Sequence, residues 1–416
     1  MSQQDKVIFH CDANGFFASV ECLDHPALRN VPMAVAGDPK DRSGIILAKN
    51  ELAKKYQIKT TETIWQAKRK CPALVLVSPH HERYVKVSKQ LNAIYANYTD
   101  QVEPFGIDES WLDVTGSLKL FNAQPLALAN RIREQVKSEI GITISVGVSF
   151  NKIFAKLGSD MKKPDATTLI TRENFQTLVW PLPAKDLLFV GASAAEQLQK
   201  HYIFTIGDIA RRSRDELNQL LGKSGDMLWL YANGLGDEPV RKLHEKQELK
   251  SIGNGMTFRR DLVNEDEVRA GVLALTDEVA TRMREAKVKC CTVQVMLKNP
   301  AMKSISRQKG LLNPTHLQKE LSEEAMLLIK ANWHAPSPIR AITITAMNLV
   351  PDTFVQQQLT FMDIGTDHSK HDKQEKLETA LQQIRDKHGS GCIAMGYMDH
   401  DELGIRKLDH PPKKKS

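Results

Sequence analysis

A chain of 416 residues, 41% hydrophobic and 26% charged, is too long for one ordinary core and has the balance of a soluble protein of several domains. No apolar run approaches the ~18 residues that cross a bilayer, and Met1-Ser2-Gln3-Gln4-Asp5-Lys6 lacks the basic-then-apolar pattern of a signal peptide. The six cysteines are scattered with no CxxC pair, so a reduced cytoplasmic protein without structural zinc or a membrane partner is expected, and the mild net charge of +7 matters less than its distribution.

Residues 7–11 (Val-Ile-Phe-His-Cys) predict a short buried strand ending at Asp12, and Asn14-Gly15 turns the chain into the apolar run 16–23. Strands are expected at 33–36, 44–48 and 74–77, with helices at 50–56 and 64–70, the second stopped by Pro72. Helical spacing returns at 84–98 and 125–140, while 107–114 and 143–148 alternate as strands do. Strands separated by helices in this order suit an α+β sheet covered on one face. Residues 172–236 read as a small helical module and 241–250 as a charged linker. A β-α-β-β-α-β unit follows, with strands 252–258, 290–297, 304–308 and 339–347 and helices 265–286 and 315–331. After Pro351 the strand pattern is lost, leaving a polar stretch, a helix at 377–387 and a basic end at 411–415. The fold class expected is α+β, multidomain.

Three acids stand out. Asp12 ends an apolar strand, and Asp108 and Glu109 lie inside Glu103-Pro-Phe-Gly-Ile-Asp-Glu-Ser-Trp-Leu-Asp113, which reads as a hairpin. Adjacent residues on a regular strand face opposite sides, so Asp108 and Glu109 converge only at a turn or bulge. Clustered carboxylates repel one another unless cations neutralise them. Hard oxygen ligands favour magnesium or manganese over zinc, and two such ions roughly 3.5–4 Å apart clamp both oxygens of a phosphoryl transfer. Acids at strand ends are more often simply solvated, so this pattern alone does not decide.

The segment His10-Cys-Asp-Ala-Asn-Gly-Phe-Phe-Ala-Ser-Val-Glu21 resembles the first motif of the Y-family DNA polymerases. Ile107-Asp-Glu-Ser-Trp-Leu-Asp-Val114 resembles their second and Val146-Gly-Val-Ser-Phe-Asn-Lys-Ile-Phe-Ala-Lys156 their third. Ser159-Asp-Met-Lys-Lys-Pro164 and Lys250-Ser-Ile-Gly-Asn254 also fit, and the bacterial DNA polymerase IV branch matches best. The resemblance runs in order from about residue 6 to 350. It implies a low-fidelity, translesion DNA-directed DNA polymerase with a right-hand arrangement. The palm is expected at 1–21 with 79–168, the fingers at 22–78, a helical thumb at 169–238, a linker at 239–250, the little finger at 251–350 and a tail at 351–416.

The same resemblance implies that Asp12, Asp108 and Glu109 are catalytic and hold two magnesium ions, or manganese, with the Ala13 carbonyl completing the nucleotide-side ion. The primer 3′-hydroxyl then attacks the α-phosphate of a dNTP and pyrophosphate leaves. Phe17 takes the steric-gate position, where a flat ring leaves no room for a 2′-hydroxyl. Gly15, Phe16, Lys54 and Lys163 join the nucleotide site. A monomer working on primer-template DNA is implied. Two departures matter. Asn50-Glu51-Leu52-Ala53-Lys54 stands where the family commonly has Asn-Tyr-x-Ala-Arg, so Lys54 lacks the arginine fork, Glu51 adds a negative charge, and weaker nucleotide binding is expected. Phe189-Val190-Gly191-Ala192 replaces a Gly-x-Gly hairpin, leaving backbone N–H groups around Gly191 to hold a DNA phosphate.

Lys287, Lys289, Lys298, Lys303, Arg307, Lys309 and Lys319 form a cationic stretch with no acid before Glu320. In the little finger these would track phosphates without regard to sequence, with Lys152 and Lys156 adding contacts from the palm. Gln358-Leu359-Thr360-Phe361-Met362 looks like the peptide by which bacterial polymerases hold a sliding clamp. Two other classes compete: a DNA-binding accessory protein that lost synthesis, and a two-metal cyclase or nuclease, which leaves the thumb and little finger unexplained.

Overall fold

The computed structural model describes residues 6–38, 44–245, 248–353, 368–389, 392–393 and 401–405. It has two compact units, one built from Met1–Asp38 and Ile45–Lys246, the other carrying Gln247–Ser416.

The first unit opens with β1 (Ile8–Ala13), buried along its whole length. After α1 (Phe16–Asp24) come β2 (Met33–Ala36) and β3 (Ile46–Lys49), which form a three-stranded sheet with β4 (Val75–Val77) in the order β3-β2-β4. Its helices begin where side chains can cap them. Asn50 accepts from the Ala53 N–H at 2.9 Å to start α2 (Glu51–Lys55), and a Thr63–Gln66 capping box starts α3 (Ile64–Lys70). Next come α4 (His81–Ala96), β5 (Val102–Pro104), β6 (Glu109–Asp113), α5 (Ser117–Leu120), α6 (Pro125–Glu139), β7 (Ile144–Ser149), α7 (Lys152–Met161) and β8 (Thr167–Leu169). They complete a five-stranded sheet of order β5-β6-β1-β7-β8.

Strand alternation sorts the two faces of that sheet. Phe9, Cys11, Leu112, Val146 and Val148 pack with Leu91, Tyr95, Leu128, Ile132 and Val136 from α4 and α6. Ile8, His10 and Asp12 point the other way. The expectation of a sheet covered on one face needs correction here, because α7 packs on β1 and β7 and Ala155 joins Ile8 and Trp111 in a small core. The helix comes this close because Gly147 has no side chain; a Cβ there would lie 1.8 Å from the Ala155 carbonyl oxygen. Lys156 and Ser159 are thereby brought over Asp12 and His10.

Beyond β8, α8 (Phe175–Leu178), α9 (Ala192–Lys200), α10 (Ile206–Arg211), α11 (Arg214–Leu221) and α12 (Lys223–Ala232) make the expected helical module. They share a core of Leu198, Ile206, Ile209, Leu217 and Leu228.

The second unit contains β9 (Ser251–Leu262), α13 (Glu265–Glu285), β10 (Val288–Lys298), β11 (Ser304–Thr315), α14 (Gln318–Lys330) and β12 (Ile339–Pro351), in the element order read from the sequence. The sheet order is β11-β10-β12-β9, so each βαβ crossover is split by another strand. β9, β11 and β12 run past their predicted ends because ladder pairing continues where apolar alternation fades. Helix α15 (His368–His388) is also longer than the predicted 377–387. It is held by charge: Glu378 lies 2.8 Å from Arg284 and Arg385 3.0 Å from Asp277, contacts that apolar periodicity does not reveal. Leu403 and Ile405 join the core of this unit. Gln358, Leu359, Thr360, Phe361 and Met362 lie outside the described residues. Among the described residues no helix is long and apolar enough to cross a membrane.

Candidate active site

β1 and β6 run antiparallel, with Asp12 opposite Glu109 and His10 opposite Trp111. Asp108 falls in the bend before β6, so strand alternation does not govern it, and its carbonyl accepts from the Ala13 N–H at 3.0 Å. Burial, reinforced by the neighbouring charges of Asp12 and Glu109, pushes the Asp108 carboxyl up to about 6. Lys156 sits 2.7 Å from Glu109 Oε2 and 3.1 Å from Asp12 Oδ2. Lys163 lies 2.7 Å from both Asp12 Oδ2 and Asp160 Oδ1. Burial disfavours an ionised Glu109, but the His10 ring at 3.1 Å and the Lys156 ammonium at 2.7 Å outweigh it and hold the carboxyl at about 2. Burial also pulls the two ammonium groups down, and the surrounding acids more than reverse it.

His10 is a site residue that the sequence reading missed. Fully buried, it sets Nε2 3.1 Å from Glu109 Oε2 and Nδ1 2.8 Å from Ser159 Oγ. Burial depresses its pKa, with the nearby Glu109 carboxylate pulling the other way. Atoms of His10, Asp12 and Glu109 all lie within 4.8 Å of one another. Carboxylate oxygens with one ring nitrogen suit a divalent cation, and the lysines hold positive charge at the same place. The signal was present in the sequence, because His10 is two residues from Asp12 on a strand and so shares its face.

The residues expected at the nucleotide begin at the β1–α1 turn. Gly15 has φ 52°, and a Cβ on it would lie 3.1 Å from the Lys49 carbonyl oxygen, so a side chain there would be both strained and crowded. Phe16 is buried in the core, and Phe17 is half-buried with its ring stacked on Tyr84 at 4.2 Å between centroids and 12° between planes. Asn14, also missed, ties this turn to three places. Its amide donates to Ser145 at 2.9 Å and its carbonyl accepts from Thr143 at 3.0 Å and from the Asp165 N–H at 2.9 Å. That last bond fixes the chain just after Lys163. Lys54 is exposed, and Glu51 is its partner at 3.6 Å.

The residues expected at DNA are distributed less tightly. Lys152 is nearly buried, 2.7 Å from Glu103 and 4.4 Å from the Trp111 ring centroid, which commits it to a structural pair. Gly191 starts α9 with no side-chain cap and open space around it. Phe189 keeps a left-handed φ of 71° where the hairpin's first glycine is missing. In the second unit Val293, Val295 and Leu297 face the core, so alternation puts Lys298 with Gln294 and Met296 on the other face. Lys303 follows the turn after β10, where its N–H bonds to Asn299. Lys309 pairs with Glu324 at 2.6 Å, Arg307 donates to Asn332 at 3.0 Å, and Lys289 lies 3.6 Å from Glu375. Lys287 occupies the turn before β10 with φ 55°. The structure does not gather these cations into one patch.

Comparison with known proteins bears on this geometry. The impB/mucB/samB family matches residues 11–160, and the impB/mucB/samB family C-terminal domain matches residues 249–359. The chain is 45% identical to DNA polymerase IV of Acetivibrio thermocellus over 404 residues, covering 97% of this chain and 100% of that protein. It is 33% identical to DNA polymerase IV 1 of Bacillus subtilis over 396 residues, 95% of this chain and 94% of that protein. A solved Y-family DNA polymerase chimera shares the fold, with a TM-score of 0.72 at 22% identity over 83% of this chain and 99% of its own.

Proposed function

The chain belongs to the impB/mucB/samB family, and from that premise we infer that its carboxylate cluster is the active site of a template-directed polymerase. The protein is a DNA-directed DNA polymerase of low fidelity that carries out translesion synthesis. One observation carries the assignment of the site: Asp12 pairs with Glu109 across two strands, Asp108 stands at the adjoining bend, and Lys156 and Lys163 cover them.

Asp12, Asp108 and Glu109, with the Ala13 carbonyl, are the groups that would hold magnesium, or manganese in its place. Bound there, such ions would supply activation of the primer hydroxyl and neutralisation of charge on the phosphates. The chain's own residues then orient the reactants. Lys163 and Lys54 meet the triphosphate as compact point charges, and Gly15 and Phe16 set the turn on which the nucleotide rests. Phe17 lies beneath the sugar and excludes a 2′-hydroxyl. Lys156 keeps Glu109 ionised and, lying beside both acids, aims Asp12 and Glu109 at one point. The first unit supplies palm, fingers and thumb, and the second the little finger.

DNA is held through phosphates by Lys298 and Lys303 and by the open helix start at Gly191. Lys287, Lys289, Arg307 and Lys309 add to the surrounding positive field, whereas Lys152 acts through the fold. Gln358-Leu359-Thr360-Phe361-Met362 is assigned to a sliding clamp on its sequence, and the protein works as a cytoplasmic monomer. Primer extension with magnesium and single dNTPs opposite an abasic site tests this reading. Insertion and extension are expected. DNA binding without extension would point to an accessory protein, and degraded DNA or cyclic nucleotide to a different two-metal enzyme.

A further inference from the structure

We propose that Glu21 is a positioning residue for sugar selection, holding the Tyr84 ring flat against Phe17 so that the gate cannot yield to a ribose. The inference rests on the gate reading of Phe17 and adds the support that makes such a gate rigid.

Glu21 lies one helical turn beyond Phe17 on α1, so the two side chains share a face. Tyr84, from α4, spans that turn. Its ring stacks on Phe17 at 4.2 Å and 12°, and its hydroxyl donates to the Glu21 carboxylate. Glu21 is only 3% exposed and Tyr84 0%, an unusual place for an acid unless its hydrogen bonds are met. His80 meets them from the other side, its Nδ1 2.9 Å from Oε1 and 3.1 Å from Oε2. His81 adds an edge contact to Phe17, with centroids 6.0 Å apart and planes at 88°.

The physical reason is stiffness. Phe17 is half-buried and has no polar atom to anchor its ring, so its plane is set by what it rests on. A stacked ring alone can slide or tilt at little cost, since aromatic pairs tolerate a range of offsets. A phenol tied at its far end to a buried acid resists, because tilting would break a hydrogen bond that water cannot reach to replace. A 2′-hydroxyl is a small group, and a merely apolar wall rejects it only about hundredfold. A wall that gives by a fraction of an ångström loses much of that. Glu21 touches neither the nucleotide nor the reacting atoms in this scheme; it acts through Tyr84 on Phe17.

The test is single-nucleotide incorporation by the full-length protein on a primer-template with magnesium, giving kcat/KM for a matched dNTP and its rNTP. Phe17→Ala reports on the gate itself and is expected to cost about hundredfold in the dNTP/rNTP ratio. Glu21→Leu removes the anchor and is expected to lower the ratio about fivefold to tenfold, through a rise in rNTP use, as a loosened rather than absent gate would. Glu21→Gln keeps an acceptor for the Tyr84 hydroxyl and is expected to restore most of the ratio. Should Glu21→Leu fail to fold, Tyr84→Phe removes the same hydrogen bond while keeping the stacked ring and is expected to lower the ratio in the same direction. If Phe17→Ala collapses the ratio while Glu21→Leu and Tyr84→Phe leave it unchanged, or lower both sugars equally, the anchor role is overturned and the gate stands. If Phe17→Ala itself leaves the ratio intact, the gate reading fails and the anchor role goes with it.

Discussion

Asp12 and Lys298 each sit on a strand whose neighbouring residues are buried in a core, yet the faces they occupy have become different things. Asp12 meets Glu109 from the next strand and lysines from α7 and the chain beyond it. Lys298 keeps company with Gln294 and Met296 of its own strand and with Ser304 opposite. The difference is the covering helix. Over β1 and β7, α7 excludes water, so charges there interact strongly and must be arranged in pairs. A cation on a face that no described helix of its unit covers is screened within about 8–10 Å at ordinary ionic strength and needs no fixed partner. One face suits chemistry that must be aimed, and the other suits a phosphate backbone of any sequence.

The sharpest way to break that contrast is Asp108→Ala. It is expected to reduce extension by about 10³-fold or more, as loss of a metal-held charge does, while primer-template binding in a mobility-shift assay changes little. Synthesis near the wild-type rate would remove Asp108 from the site.

Next is stability without metal. Asp108 titrates at about 6 in the folded protein, above its ordinary value, so the folded state binds the extra proton between roughly pH 4 and 6. Stability from this group is therefore lost as pH rises through that window, and Asp108→Asn should recover on the order of 2 kcal/mol at pH 7. Glu109 has the opposite sign: held at about 2, it contributes stability above its ordinary value that is lost as pH falls toward 2. Denaturant titrations in chelator at pH 3, 4.5 and 7 check both, the lower pair for Glu109 and the upper pair for Asp108, and an Asn variant no more stable than wild type at pH 7 would contradict the repulsion assigned to the cluster.

The uncovered face has its own test. Lys298→Ala and Lys303→Ala should each weaken DNA binding a few-fold and flatten the salt dependence by about one unit of slope. Lys309→Ala, with Glu324 already beside it, should do less. Equal effects from all three would mean that local pairing does not distinguish these cations. The smallest effect is expected at the fingers. Glu51→Ala frees Lys54 from its partner and should lower KM for dNTP about twofold to threefold with little change in kcat, the scale of an exposed ion pair.

Much of this molecule was legible beforehand, for identifiable reasons. The strand at 7–11, the helical module at 172–236 and the β-α-β-β-α-β order are written in apolar spacing, which is local and survives without a structure. The three acids stood out only weakly by position, because acids at strand ends are commonly solvated, and it was the resemblance of the surrounding motifs that marked them. His10 and Asn14 were passed over because a buried polar side chain looks ordinary until its partners are known. Those partners, Ser159 and Glu109 for one and Thr143, Ser145 and Asp165 for the other, are distant in the chain.

The sequence by itself determined the order of elements, the family and the identity of the acids, since each is carried by residues adjacent or periodic along the chain. Only the tertiary structure decided which charges meet. It put Lys156 on the carboxylates and Lys152 on Glu103, although both were read alike as DNA contacts. It also set Glu21 behind Phe17 through Tyr84. Electrostatic partnership depends on distance in space and on the exclusion of water, and neither is encoded by spacing along a strand or helix.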